Sequence, residues 1–198
     1  ARYMSAPARM TDANTSGPVR VVTVGTSLIA SDHITDVLRR RLQERYGDAG
    51  LGFMFIDRPT RNAGRTVRSG TASEGWVIEK VTDTVPLALA GLGGAAFSAP
   101  AGSPQDTSYL ASGSRHLELF AVAQPGAGAG VGFGDGKRLG ELSTAGAAGA
   151  ALFPSLELPE GVTQLTLRTR GGAVRLDGVV LERGVPGVVL DSLGLPGA

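Results

Sequence analysis

The chain has 198 residues, 42% of them hydrophobic and 5% aromatic, with 19 basic against 18 acidic side chains and a formal net charge of +1. That length can bury one good core or two small ones, and the near-neutral balance excludes the global positive field that drives nonspecific binding to nucleic acid. The absence of cysteine excludes disulfides and thiolate metal sites, and no apolar run is long enough to span a bilayer.

Residues 1–17 read as an N-terminal extension without the hydrophobic segment of a secretory signal. The run Val19-Arg20-Val21-Val22-Thr23-Val24 is short and β-branched, as expected of a strand covered on both faces of a parallel sheet. It ends abruptly in Gly25-Thr26-Ser27-Leu28. A hydroxyl at the carboxyl end of a buried strand, with a helix directly after it, is how a nucleophilic serine is presented for attack. Ser27 is therefore the candidate nucleophile; the alternative is a serine that only caps the helix.

Ser31 or Asp32 can cap a helix in which Ile34, Val37, Leu38 and Leu42 recur at helical spacing, with Arg39, Arg40, Gln43 and Glu44 mainly on the opposite side. Gly47 is the expected stop, and the apolar run at 51–56 completes a strand–helix–strand unit with a right-handed crossover. Arg58, Arg61, Arg65 and Arg68 then form a basic stretch that reads as a solvated linker.

From about residue 64 to residue 184 the character changes to glycine, alanine and short alternating runs. Strands are expected at 75–81, 94–99, 107–111, 116–123, 150–158, 163–168 and 173–182, punctuated by Gly, Pro and Ser, which is the pattern of an antiparallel sandwich. Trp76, the one tryptophan, either stacks on a sugar ring or fills the sandwich interior, and a lone aromatic in a strand favours the interior. The Gly-rich stretch 125–137 fails the spacing of a phosphate loop, because Gly136-Lys137 is followed by Arg138 and not by Ser or Thr. It reads as a flexible connection and a Gly-Asp-Gly hairpin turn. Neither His33 nor His116 belongs to a metal-ligating cluster, and His33, in the first helical turn, is poorly placed as a base for Ser27. The last residues, 186–198, look like a returning sheet strand ending in the turn Leu195-Pro196-Gly197-Ala198.

At Gly25-Thr26-Ser27-Leu28 and through the helix to Phe53, about a fifth of the chain, the sequence resembles the SGNH or GDSL-type hydrolases, above all their envelope and polysaccharide O-acetylesterases. In that family a Gly-Asp-Ser-Leu motif carries the nucleophile at this strand-to-helix turn; here Thr26 replaces the aspartate. The resemblance implies Ser27 as nucleophile and the N–H of Gly197, beside that of Ser27, as oxyanion donors, although Gly197 also reads as part of an ordinary Pro-Gly turn. It implies no cofactor and no metal. The implied fold class is α/β: a partial SGNH-like, flavodoxin-like parallel sheet unit at 18–63, an inserted jelly-roll-like β-sandwich at 64–184 that grips a glycan, and a return strand with the oxyanion turn at 185–198.

Relatives take their base from a late Asp-x-x-His motif, and neither histidine of this chain has an aspartate three positions earlier. The expectation is that the remainder of the hydrolase domain lies beyond Ala198 or on a separate chain, and that these 198 residues alone are inert. The implied substrate is an acetylated glycan, and the implied location is outside the cell or in its envelope. The rival reading is a glycan-binding, adhesion or assembly protein that keeps an esterase-like frame, for which Thr26 is the sequence support.

Overall fold

The computed structural model describes residues 17–59, 69–83 and 91–195. Most of it is antiparallel. A five-stranded sheet runs in the order β3 (Thr71–Ala72), β6 (Asp106–Leu110), β12 (Gln164–Arg170), β8 (Ala129–Gly134) and β9 (Lys137–Ser143). A second sheet runs β10 (Ala151–Leu152), β7 (His116–Val122), β13 (Val174–Glu182), β5 (Ala95–Ala99) and β4 (Val77–Lys80). In addition β11 (Ser155–Glu157) pairs with β7 and β2 (Gly50–Met54) pairs with β13.

The two sheets share one core. Leu165 and Leu167 of β12 alternate with outward polar residues and are fully buried with Leu117 and Leu119 of β7 and Leu176, Val179 and Leu181 of β13. Period-two alternation places one face of β12 inside, whereas the central strand β13 is buried on both faces at most of its positions, and the expected sandwich is what forms.

Three local expectations are corrected. The Gly-rich stretch is not a flexible connection throughout, since residues 129–134 form the inner strand β8. Its glycines make room for a neighbour: a Cβ on Gly132 would lie 2.9 Å from Leu156, and one on Gly140 of β9 would lie 2.5 Å from the same side chain. The hairpin turn does sit at Asp135-Gly136, both at positive φ as a two-residue turn of the primed type requires. The single strand expected at 150–158 is two, β10 and β11, separated by Phe153-Pro154, because proline removes a ladder donor.

The third correction concerns the α/β unit. β1 (Pro18–Gly25) and β14 (Gly187–Gly194) pair in parallel along their whole length, from Pro18 opposite Gly187 to Gly25 opposite Gly194. A one-turn helix α1 (Ser27–Ala30) and the helix α2 (His33–Tyr46) follow β1. The second strand expected to complete this unit makes no ladder with it: a single parallel bridge joins Asp48, just before the strand, to Val188 of β14. Gly50 and Gly52, at φ of 134° and 74°, then turn the chain away, and β2 joins β13 of the sandwich in antiparallel register. The parallel part of the described fold is thus a two-stranded sheet grafted on a sandwich, and the antiparallel part begins at residue 50.

Candidate active site

Ser27 opens α1 immediately after β1 and is exposed to solvent. The turn is held by backbone bonds alone at its start: the N–H groups of Ile29 and Ala30 both donate to the carbonyl of Thr26, at 3.1 and 2.9 Å, and the N–H of Ser31 donates to the carbonyl of Ser27 at 3.0 Å. Thr26, also exposed, makes no side-chain cap to the helix. Among the described residues nothing hydrogen-bonds to the Ser27 hydroxyl.

The parallel register brings the carboxyl ends of β1 and β14 to one rim. The N–H of Leu195 donates to the carbonyl of Gly25 at 3.1 Å, directly beside the serine turn. Gly194 allows the contact, because a Cβ there would collide with the backbone of Ala30. Gly197 lies outside the described residues, as do Arg61, Arg65 and Arg68; Arg58 is exposed.

Beneath the turn lies a polar network that the sequence reading did not single out. Asp32 stands at the start of α2 in the left-handed region, φ 54°, and its carboxylate does not cap the helix. It points inward and accepts both terminal nitrogens of Arg39, at 3.1 and 3.2 Å, and the hydroxyl of Thr35. Arg39 Nε donates to the carbonyl of Leu190 in β14 at 3.2 Å. Thr35 meets the Ser192 hydroxyl at 3.2 Å, and Ser192 donates to the carbonyl of Ile29 at 3.2 Å. Asp32, Thr35 and Arg39 are all buried. One buried ion pair therefore ties together α2, β14 and the turn that carries Ser27. Positions 32, 35 and 39 fall on one helix face, a spacing that does not by itself say whether that face is buried.

This reverses the expected polarity of α2. Ile34, Val37 and Leu38, expected on the buried side of the helix, are 52%, 49% and 41% exposed, while Thr35 and Arg39 face β14. The strand β1 likewise departs from burial on both faces: Val22 and Val24 are 51% and 77% exposed.

On the sandwich side, a second ion-pair group joins the two parts of the fold. Arg20 of β1 donates to Asp191 of β14 at 2.5 Å and to Glu182 of β13, and Asp191 also accepts the N–H of Phe53 in β2 at 2.7 Å. Trp76 is half-buried against the core, with its indole N–H donating to the carbonyl of Asp106 at 3.2 Å. His116 pairs with Glu157 at 2.9 Å on the sandwich, and no hydrogen bond links His33 to Ser27 among the described residues. No group of three or more His, Cys, Asp or Glu is placed to hold a metal among the described residues.

Chemically, the described site offers a positioned hydroxyl at a strand terminus without a base. Serine is a poor nucleophile until its proton has an acceptor.

No protein-family model matches the sequence, and no curated protein matches it. Among solved structures, the fold is similar to a peptidoglycan O-acetylesterase, with a TM-score of 0.70 and 18% identity over 98% of this chain. Lesser likenesses are to CsCBM6-3 from Clostridium stercorarium in complex with cellobiose, with a TM-score of 0.40 and 18% identity over 56% of this chain and 85% of that one. The C-terminal CBM6 of LamC from Zobellia galactanivorans gives a TM-score of 0.38 and 16% identity over 57% of this chain and 90% of that one. This chain spans 51% of the length of the esterase structure that it resembles over nearly all of its own.

Proposed function

We propose that the chain is part of an SGNH-type serine ester hydrolase that removes O-acetyl groups from a carbohydrate, a glycan or polysaccharide of the cell envelope. The observation that carries this reading is the placement of Ser27: two residues past the end of a parallel strand and first in the helix that follows, exposed at the rim where β14 ends, in a chain whose fold follows a peptidoglycan O-acetylesterase over 98% of its length.

In this reading Ser27 Oγ adds to the acetyl carbonyl while a histidine from the rest of the catalytic domain takes its proton. The N–H groups of Ser27 and Gly197 stabilise the resulting oxyanion. The intermediate collapses to acetyl-Ser27 and the free sugar hydroxyl, which receives the proton, and water then releases acetate. No cofactor or metal takes part. The sandwich holds the glycan beside the serine. The division of the sequence into an α/β unit at 18–63, a sandwich at 64–184 and a returning strand at 185–198 belongs to the same proposal, with β2 of the first segment lent to the sandwich sheet through β13, as does a location outside the cell or in its envelope. No described helix is long and apolar enough to cross a membrane.

The test is hydrolysis of p-nitrophenyl acetate by the complete polypeptide and by its Ser27→Ala variant. We expect a loss of about a thousandfold or more in kcat/KM for the variant, and no serine-dependent release by residues 1–198 alone. Equal rates for the two longer proteins would favour a glycan-binding or adhesion role instead. That rival draws on Thr26, which leaves the turn without the side-chain brace that an aspartate supplies in the family.

A further inference from the structure

We propose that Asp177 is a positioning residue for the serine rim: its protonated carboxyl seats the turn Gly91-Leu92-Gly93-Gly94, and the seated turn braces Leu195 beside the strand end that precedes Ser27. The inference rests on the reading of Ser27 as the nucleophile and adds a pH-dependent support for it from within the sandwich.

Three observations carry it. The first is the fit between Asp177 and the turn. Asp177 lies in β13 with one carboxylate oxygen buried and without a hydrogen-bond partner among the described residues. Gly91 packs directly on that carboxyl, and a Cβ at Gly91 would collide with it. The second is the seating of the turn itself. The N–H of Gly94 donates to the carbonyl of Gly91 at 3.0 Å, and the carbonyl of Gly94 accepts the N–H of Val81 at 3.0 Å. Gly93 and Gly94 stand at φ of 89° and 73°, and a Cβ on Gly93 would lie 2.7 Å from the ring of Phe55.

The third observation is that the turn reaches the serine rim. A Cβ on Gly94 would stand 3.4 Å from the side chain of Leu195. Leu195 is buried, and its N–H holds the carbonyl of Gly25 at 3.1 Å, two residues before Ser27. One short turn thus touches a buried carboxyl at its first residue and the end of β14 at its last.

Charge connects the two ends. A buried carboxylate without donors is costly, and burial pushes the pKa of Asp177 up to about 6 against the opposing charge of Arg175. Arg175 itself pairs with Glu79 of β4 at 2.6 Å, and Lys80 of β4 pairs with Asp83. The strands β5 and β2 and the turn carry no charged residue, and His116 and Glu118 of β7 stand opposite Glu182 and Val180, further along β13. When Asp177 ionises, a neighbour must move to let water reach it. The strands β5, β7 and β13 are held in ladders, so the turn is the element that yields, and Leu195 loses its brace. The seated turn keeps the proton up to about pH 6, while a lifted turn exposes a carboxyl that releases it near pH ~4. Seating is therefore full below the lower value, weakens as pH rises between the two, and stays weak above the higher one.

The experiment follows amide hydrogen exchange by NMR in residues 1–198 and in Asp177→Asn, whose side chain has the same shape and stays neutral, between pH ~4.5 and pH ~7, with rates corrected for the intrinsic pH dependence of exchange. In the parent protein the protection of the Gly94 and Leu195 amides should fall by about tenfold or more across this range, and in the variant it should stay level. Equal falls in the two proteins, as other carboxylates or the histidines would cause, level protection in both, or a fall at Gly94 that leaves Leu195 unchanged, overturns the proposal. No hydrolysis is read, so failure of this coupling is told apart from failure of the esterase reading, which the Ser27→Ala comparison decides.

Discussion

Arg39 and Asp32 show how much a single buried pair can organise. Taking two charges out of water is expensive, and such a pair stabilises little compared with an apolar substitute, but removing one partner strands the other. Asp32→Ala should therefore destabilise the α/β unit by about 3–5 kcal/mol, read from urea denaturation followed by the signal of α2, whereas the pair variant Asp32→Leu/Arg39→Met should cost far less. Asp177 gives a second test at this scale. It is buried in β13 with one carboxylate oxygen lacking a hydrogen-bond partner among the described residues, and burial pushes its pKa up to about 6, with the charge of Arg175 acting in the opposite direction. The folded state thus holds the proton up to about pH 6, while the unfolded chain releases it near pH ~4. Stability should fall as pH rises between these values and stay low above them. Asp177→Asn should raise stability at pH 7–8 by about 2 kcal/mol and lose that advantage below pH ~4, which melting curves across the range would record. Ser27 could be singled out from its neighbours in sequence because a strand terminus is a local feature. The inward Asp32 could not, because a capping residue and a buried ion-pair partner look alike until the opposing strand is in place.

At the scale of elements, the strands that alternate were legible and the one that is half glycine was not. Gln164–Arg170 reads as a strand from its leucines, whereas Ala129–Gly134 carries three glycines in six residues and advertises flexibility. It is ordered because Leu156 occupies the space that Gly132 and Gly140 leave open. Gly140→Leu should overpack this site at a cost of about 1–3 kcal/mol, and adding Leu156→Ala should recover part of it, measured by thermal unfolding. The helix α2 shows a different failure of local reading. Its apolar spacing correctly identified a helix, yet the face that meets β14 is the polar one. Periodicity says which residues share a side; it does not say which side the neighbouring sheet offers. The same holds for β2, whose apolar sequence suits either sheet and whose partner is decided by the bend at Gly50 and Gly52.

For the whole molecule, the sandwich is a closed core and the α/β unit is an open one. Leucines from both sheets are fully buried together in the sandwich, while β1 and α2 leave apolar side chains in water. Native-state hydrogen exchange of residues 1–198 should therefore show two levels of protection. The amides of β7, β12 and β13 should exchange by global unfolding, and those of β1 and α2 should exchange through a lower-energy opening, about tenfold faster or more. A single common opening energy across both parts would contradict this division. The two parts are linked by the ion pair of Arg20 with Glu182, by the N–H of Phe53 donating to Asp191, and by Leu193 of β14, which is buried in the sandwich core.

What the sequence by itself determined is local: a strand that ends in a serine, a helix after it, short alternating strands, and a returning strand near residue 190. Each is written within a few consecutive residues, where period and turn chemistry act. Tertiary structure alone decided that β1 and β14, separated by more than 160 residues, lie side by side in parallel register, that α2 presents its charged side to them, and that β2 leaves for the sandwich. These outcomes depend on competition for partners distant in the chain, and burial energy is settled between surfaces that no short stretch of sequence contains.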